Sequence, residues 1–266
     1  MNQKAIGIFD SGVGGLTVLR QIKRELPDES VVYFGDTARV PYGSKSAKTI
    51  ERYCIENAIF LLEKNIKMLV VACNTASAYG INKLRRLFNI PVVGVIHPGA
   101  KAAVAVTKNK RIAVLATRAT VASEVYPKAI HSIDPSIEVI SQACPLLVPM
   151  IEERMGNHPA AALMIEEYLQ RVKEKACDTI LLGCTHYPLL HDEIKKALHP
   201  SVFIVDSATT CSKEVKEVLL ELGLENRKGS SAETRYFVSD DPEKFRETGE
   251  RFLNTPITEV LLEGIH

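Results

Sequence analysis

The chain has 266 residues, of which 46% are hydrophobic, a size and composition that suit one large domain or two modest ones with a full core. Its 33 basic and 32 acidic residues are spread along the chain and leave a net charge of +1. Such a balance argues against nucleic acid or an anionic membrane as partner and leaves a small molecule as the expected one. No stretch approaches the roughly 20 apolar residues that cross a bilayer.

The first segment, MNQKAIGIFDSG, has a very short apolar run ending at Asp10, which reads as a strand rather than a signal peptide. A cytoplasmic protein is therefore expected, with its six cysteines reduced. Further strands are predicted at 31–36, 68–73, 91–96, 111–116, 137–143, 179–184 and 202–208, with a weaker one at 235–240. These runs are continuously apolar rather than alternating, as in parallel sheets buried on both faces. Amphipathic helices fall between them. One covers 50–64; another covers 159–175, with Asn157 as its expected cap and Pro159 in its first turn. The rhythm predicts an α/β fold with mainly parallel sheets.

The layout also recurs. AIGIFDSGVGGLTVLRQIKREL matches RIAVLATRATVASEVYPKAI in its order of strand, loop and helix, and MLVVACNTASAYGINKLRRL matches TILLGCTHYPLLHDEIKKAL. Two similar lobes with a cleft between them are expected, the first formed by 1–97 with 208–266 and the second by 98–207, divided near His97-Pro98-Gly99.

Ligands of open parallel sheets sit beyond the carboxyl ends of the strands. Four of those ends carry polar or reactive groups, at Asp10-Ser11-Gly12, Asp36-Thr37, Cys73-Asn74-Thr75 and Cys184-Thr185-His186. Each is expected to precede a helix N-terminus, where a thiol has a lowered pKa. The loop DSGVGG resembles a dinucleotide fingerprint, but Thr17 stands where G-x-G-x-x-G requires its last glycine. Turn chemistry with a substrate contact fits it better. Cys54, Cys144, Cys177 and Cys211 read as small buried hydrophobes, Cys54 and Cys177 within helical segments. No cysteine or histidine set has zinc spacing, and no lysine pattern indicates pyridoxal phosphate.

Cys73 and Cys184 differ because they occupy matching positions in matching units. A nucleophile needs one thiol; two placed symmetrically suit stereoinversion, in which one group removes a proton from Cα and another returns one on the opposite face. An unperturbed thiol pKa of roughly 8.5 suits that exchange. Asp10 and His186, beside the same strand ends, are the natural helpers.

The segments FDSGVGGLTV, GDTARVPYGSKS, VVACNTASA, GVIHPGA, ATRATVAS and LLGCTHYPLL resemble, in order, the motifs of the glutamate racemases. The resemblance runs from about residue 6 to residue 190 and is faint beyond 210. It implies cofactor-free interconversion of L- and D-glutamate in two α/β lobes, often as a homodimer, to supply D-glutamate for peptidoglycan, with Cys73 and Cys184 as the acid/base pair. It makes Asp10 and His186 auxiliary residues, together with Glu152, beside which Glu153 is the alternative; a solvated acid at a helix start is the plain reading of either. It places substrate contacts at Asp10, Ser11, Tyr42, Gly43, Asn74, Thr75, Thr117, Thr120, Thr185 and His186. Two other readings stay open, an aspartate racemase of the same superfamily and a two-lobed binding protein for an acidic amino acid. Nothing in the sequence speaks for the gyrase binding attributed to some relatives.

Overall fold

A computed structural model describes residues 4–227, 229 and 231–264. The larger sheet starts with β1 (Ala5–Asp10), followed by α1 (Leu16–Glu25), β2 (Val31–Gly35), α2 (Ala47–Glu63), β3 (Ile66–Val71), α3 (Asn74–Leu87) and β4 (Val92–Gly94). The chain then crosses through α4 (Ile96–Val106) to β5 (Arg111–Ala116), α5 (Arg118–Ala122), α6 (Val125–Ile133) and β6 (Glu138–Ala143). After these come α7 (Leu147–Glu152), α8 (Pro159–Glu174), β7 (Thr179–Gly183), α9 (His191–Lys196) and β8 (Phe203–Asp206). The return passes through α10 (Ser207–Leu222), β9 (Thr234–Val238), α11 (Pro242–Leu253) and β10 (Leu261–Leu262).

The two sheets have strand orders β10-β9-β2-β1-β3-β4 and β6-β5-β7-β8, and every pairing in them is parallel. The order 2-1-3-4 of the first four strands is repeated by β5 to β8, so the duplication seen in the sequence layout is also a duplication of topology. In each half the order reverses between the first and third strand, the point at which doubly wound sheets open a ligand crevice. β1 and β3 make one such point, β5 and β7 the other. The chain leaves the larger sheet after β4 and rejoins it at β9, and α10 packs on both α1 and α4.

The continuous apolar runs of β1, β2, β3 and β7 are buried along their whole length, as central parallel strands require. β6 and β8, at the edges of the smaller sheet, are only partly buried. Two local readings are corrected. His158, not Asn157, caps α8, its Nδ1 accepting from the Ala160 N–H at 3.1 Å. Pro159 takes the first helical position and holds its predecessor extended, so the cap must be the residue directly before it. Cys177 lies outside the helix, because α8 ends at Glu174 and Ala176 turns the chain at φ 47°. The segment His97-Pro98-Gly99 lies in the first turn of α4, the helix through which the chain crosses to the second sheet, and proline there costs no helical hydrogen bond. Among the described residues no helix is long and apolar enough to cross a membrane.

One buried ion pair ties the far, amino end of the larger sheet. Lys67 Nζ lies 2.6 Å from Glu29 Oε2, with side chains 1% and 3% exposed. It also donates to the Leu224 carbonyl at 2.7 Å and to Asn226 Oδ1 at 2.9 Å, while the Asn226 N–H donates to Glu29 Oε1 at 2.7 Å. The pair thus fastens the chain that returns from α10 to the strands it rejoins. Removing one member strands the other charge in the interior, so Lys67→Met should lower the free energy of unfolding by about 3–5 kcal/mol in chemical denaturation. Because this pair sits at the opposite end of the strands from the cleft, turnover of the folded fraction should stay near wild type.

Candidate active site

The carboxyl ends of β1, β3, β5 and β7 converge on a cleft of about 330 Å³ between the two sheets. Cys73 and Cys184, the residues just beyond β3 and β7, both line it and are each 6% exposed. Their flanks differ. Cys73 caps α3, its sulfur accepting from the Ala76 N–H at 3.5 Å. Cys184 caps no α-helix, because a 3₁₀ turn at Tyr187–Leu190 follows it. Pro188 disfavours α geometry in the residue before it, and an α-helix starts only at His191.

The expectation of a matching α-helix N-terminus behind each thiol therefore fails. At Cys184 the α-helix N-terminus is missing. At Cys73 burial, reinforced by the nearby Asp10 carboxylate, pushes the thiol up to about 12 in spite of the α3 amide. A helix terminus acts through a few partial charges, and here the loss of solvent and a full negative charge outweigh it.

Asp10 is wholly buried and does not line the cleft. It accepts from the Gly12 N–H at 2.9 Å and from the Thr185 hydroxyl at 3.4 Å. Burial raises its pKa, opposed by the charge of His186 and by these hydrogen bonds. On the other side, His186 Nδ1 lies 4.0 Å from Cys184 Sγ, and Nε2 lies 2.9 Å from Glu152 Oε1. Burial disfavours the imidazolium, but the bonds to Cys184 and Glu152 outweigh it and raise the His186 pKa to about 10. Burial alone would raise Glu152, yet the hydrogen bond and charge of His186 carry its pKa below the usual value. Glu152, at the end of α7, is thus the carboxylate that meets His186. Glu153 also borders the cleft but lies exposed and outside this pair.

The other expected contacts divide. Ser11, Asn74, Thr75, Thr117 and Thr185 line the cleft, as do Tyr42 and Gly43. The Tyr42 hydroxyl is already committed, bonding to Asp36 and accepting from Asn57 Nδ2 at 3.1 Å. Thr120 stands behind the wall, its hydroxyl 3.1 Å from that of Thr75 and 3.0 Å from that of Thr117. Asn74 is oriented from both sides, since Tyr126 donates to its Oδ1 at 2.6 Å and its amide donates to Ser207 at 3.3 Å. Asp36, another of the polar strand ends, is fully buried and is held by Arg39, Tyr42 and Ser239 rather than facing the cleft. Sequence reasoning missed Arg118 and Cys144, which also line the cleft. Arg118 lies within the quoted segment ATRATVAS, but nothing in its spacing marks it. Cys144 follows β6 as Cys184 follows β7, and position at a strand end was the available signal. Among the described residues no group of three or more His, Cys, Asp or Glu side chains could hold a metal ion.

Residues 6–215 match the sequence pattern of the Asp/Glu/hydantoin racemases, which fixes the class as a racemase. The chain is 49% identical over 260 residues to the glutamate racemase of Geobacter metallireducens, covering 98% of this chain and 96% of that one. Its fold superposes on the glutamate racemase of Bacillus anthracis with a TM-score of 0.94 at 38% identity, covering 100% of this chain and 98% of that one. The Francisella tularensis glutamate racemase, solved in complex with D-glutamate, gives 0.93 at 37% identity, covering 100% and 99%. The chain belongs to the Asp/Glu/hydantoin racemase family and, within it, to the glutamate racemases.

Two measurements probe this geometry. A methyl group at Gly14 would stand 2.3 Å from Thr185 Oγ1 and 2.4 Å from His186 Nδ1. Gly14→Ala must therefore displace the segment carrying Cys184, and turnover should fall on the order of 100-fold, the scale of a misplacement of about 1 Å. Glu152→Gln removes the anion that holds the imidazolium, so the His186 pKa followed by NMR should fall from about 10 by roughly one unit or more. The raised folded-state value also fixes a sign. The imidazolium's contribution to stability is whole below the unfolded pKa of about 6.5 and is lost as pH rises through about 10. Wild type should lose more stability across that window than His186→Asn.

Proposed function

We propose that the protein interconverts L- and D-glutamate by direct proton exchange at Cα, with Cys73 and Cys184 as the two acid/base groups. One observation carries this reading. The two thiols stand at equivalent ends of β3 and β7 in a repeated topology and line one cleft. Inversion at carbon needs an acceptor on one face and a donor on the other, and a pseudo-symmetric pair of lobes supplies both.

In one direction a thiolate takes the Cα proton, forming an S–H bond as the C–H bond breaks. The opposite thiol then gives its proton to the other face and is left as thiolate. The reverse direction exchanges the roles. Cα of an amino acid is a weak carbon acid, so the surroundings must supply preorganised charge. Asp10 lies beside Cys73, and the His186–Glu152 pair lies beside Cys184. We assign Asp10 as the helper of the first thiol, and the imidazolium as the group that stabilises the charge Cys184 carries once it has lost a proton.

The two substrate carboxylates fit the hydroxyls and amides that line the cleft, those of Ser11, Asn74, Thr75, Thr117 and Thr185, together with the backbone at Gly43. Donors of this kind bind carboxylates well in a closed site. Kinship with the glutamate racemases, one of them 49% identical over 260 residues, is the basis for choosing glutamate. The product is read as D-glutamate for peptidoglycan. A cytoplasmic setting suits six cysteines that are all free and buried.

The test uses purified protein, L-glutamate and a reducing agent in D2O, with no added cofactor. Optical rotation and the Cα proton signal should decay together, and L-aspartate in parallel should react far more slowly. Cys73→Ser and Cys184→Ser should each lower kcat by about 100-fold or more while leaving the circular dichroism spectrum unchanged, since serine is nearly isosteric but a much weaker acid. Near wild-type turnover in either variant would sink the two-thiol assignment.

A further inference from the structure

Thr17 is the residue that spoils the dinucleotide fingerprint, and it is also wholly buried. Its hydroxyl has one proton to give and stands within reach of two carbonyls, Gly14 in the same loop at 3.0 Å and, slightly closer, Thr185 in the opposite half of the molecule at 2.9 Å. Thr185 lies between Cys184 and His186. Around this bond the β1–α1 loop closes on the same segment from other directions. Gly14 lacks the Cβ that would overlap Thr185 and the imidazole. The Thr185 hydroxyl returns a hydrogen bond to Asp10 at 3.4 Å. The loop itself is pinned by the Tyr33 hydroxyl, which donates to the Gly12 carbonyl at 2.8 Å, and by the Gly12 N–H on Asp10.

We infer that Thr17 is a positioning residue for the reaction: its hydroxyl sets where the Cys184–Thr185–His186 backbone stands relative to the Asp10 side of the cleft. This rests on the racemisation reading above. In the dinucleotide fingerprint a glycine at this place serves close helix–strand packing; here a threonine uses it to grip a carbonyl. The Thr185 carbonyl is buried and takes this bond from a side chain rather than from a sheet partner, so its loss leaves an unmet acceptor and frees the segment to drift. Thr17 does not line the cleft, and its effect must pass through Cys184 and His186.

The experiment compares Thr17→Val, which keeps the shape and removes the hydroxyl, with Thr17→Ser, which keeps the hydroxyl. Lys67→Met serves as a control destabilised at a distance. Turnover in both directions, KM, melting temperature and the His186 imidazole titration are read on each. Thr17→Val should lose at least about tenfold in kcat with KM changed by less than about threefold, the pattern of a displaced catalytic group, and its His186 titration should shift. Thr17→Ser should recover most of the rate and the wild-type titration. The inference is overturned if the valine variant keeps its kcat, if serine falls as far as valine, or if Lys67→Met at an equal melting temperature falls equally. Should the valine variant fail to fold, Thr17→Ala takes its place under the same criteria. A wild-type protein with no racemase activity would sink the racemase reading instead, and the His186 titration alone would then decide, an unshifted Thr17→Val overturning the inference.

Discussion

The site depends on one close approach, that of the DSGVGG backbone to Thr185 and His186. Two sheets that carry one thiol each are useful only if their strand ends are held at a fixed separation, and side chains between them would hold them apart. At Gly14 there is no room even for a methyl group. The Thr17 bond and the Thr185–Asp10 bond cross at the same place. The repeated topology puts the thiols in equivalent positions, and the glycine loop brings the two positions to one cleft. Interiors are close-packed and answer to displacements as small as a methylene, so this contact transmits any change in either half to the other.

The scaffold is close to symmetric, but its charges are not. Cys73 faces a buried carboxylate, and Cys184 faces an imidazole held cationic by Glu152. Both helpers are themselves buried, Asp10 fully and His186 to 5% exposure, where water screens them little and each charge counts for more than it would at a surface. An anion beside one thiol and a cation beside the other bias which sulfur carries the proton between turnovers. The asymmetry begins in local sequence. CNTASA runs straight into α3, whereas CTHYPLL contains Pro188, delays the helix to His191 and leaves His186 free to turn its ring toward the sulfur.

The large features were legible because they rest on local rules. Continuous apolar runs gave β1, β2 and β7 nearly to the residue and β3 displaced by two, and the layout repeat is matched by a repeated strand order. The two-residue β10 escaped because so short a strand has no period to read. The cap of α8 was displaced by one residue because Pro159 fixes the first helical position, which makes His158 the residue that must cap it. The thiol pKa at Cys73 was misjudged for a different reason. Spacing reveals a helix N-terminus, but it does not reveal burial or the carboxylate that a neighbouring strand brings alongside. For the same reason Asp10 was expected to face the ligand, whereas three-dimensional packing turns it behind Gly12 and toward Thr185. Glu152 could be separated from Glu153 only by seeing which of two adjacent carboxylates the end of α7 turns toward His186.

Part of the cleft wall is built from hydroxyls. Thr75, Thr117 and Thr120 form a triangle with oxygen separations of 2.9, 3.1 and 3.0 Å. Each hydroxyl can donate or accept, so the triangle can turn its protons outward to a carboxylate or inward to itself without leaving a polar group unmet. A buried lysine or arginine in that place would carry a full charge whenever the cleft stood empty, at a heavy desolvation cost. It would also hold an anion tightly in ground state and transition state alike, and uniform binding does nothing for the chemical step. Hydroxyls cost little there, and the buried charged groups beside the thiols remain Asp10 and His186.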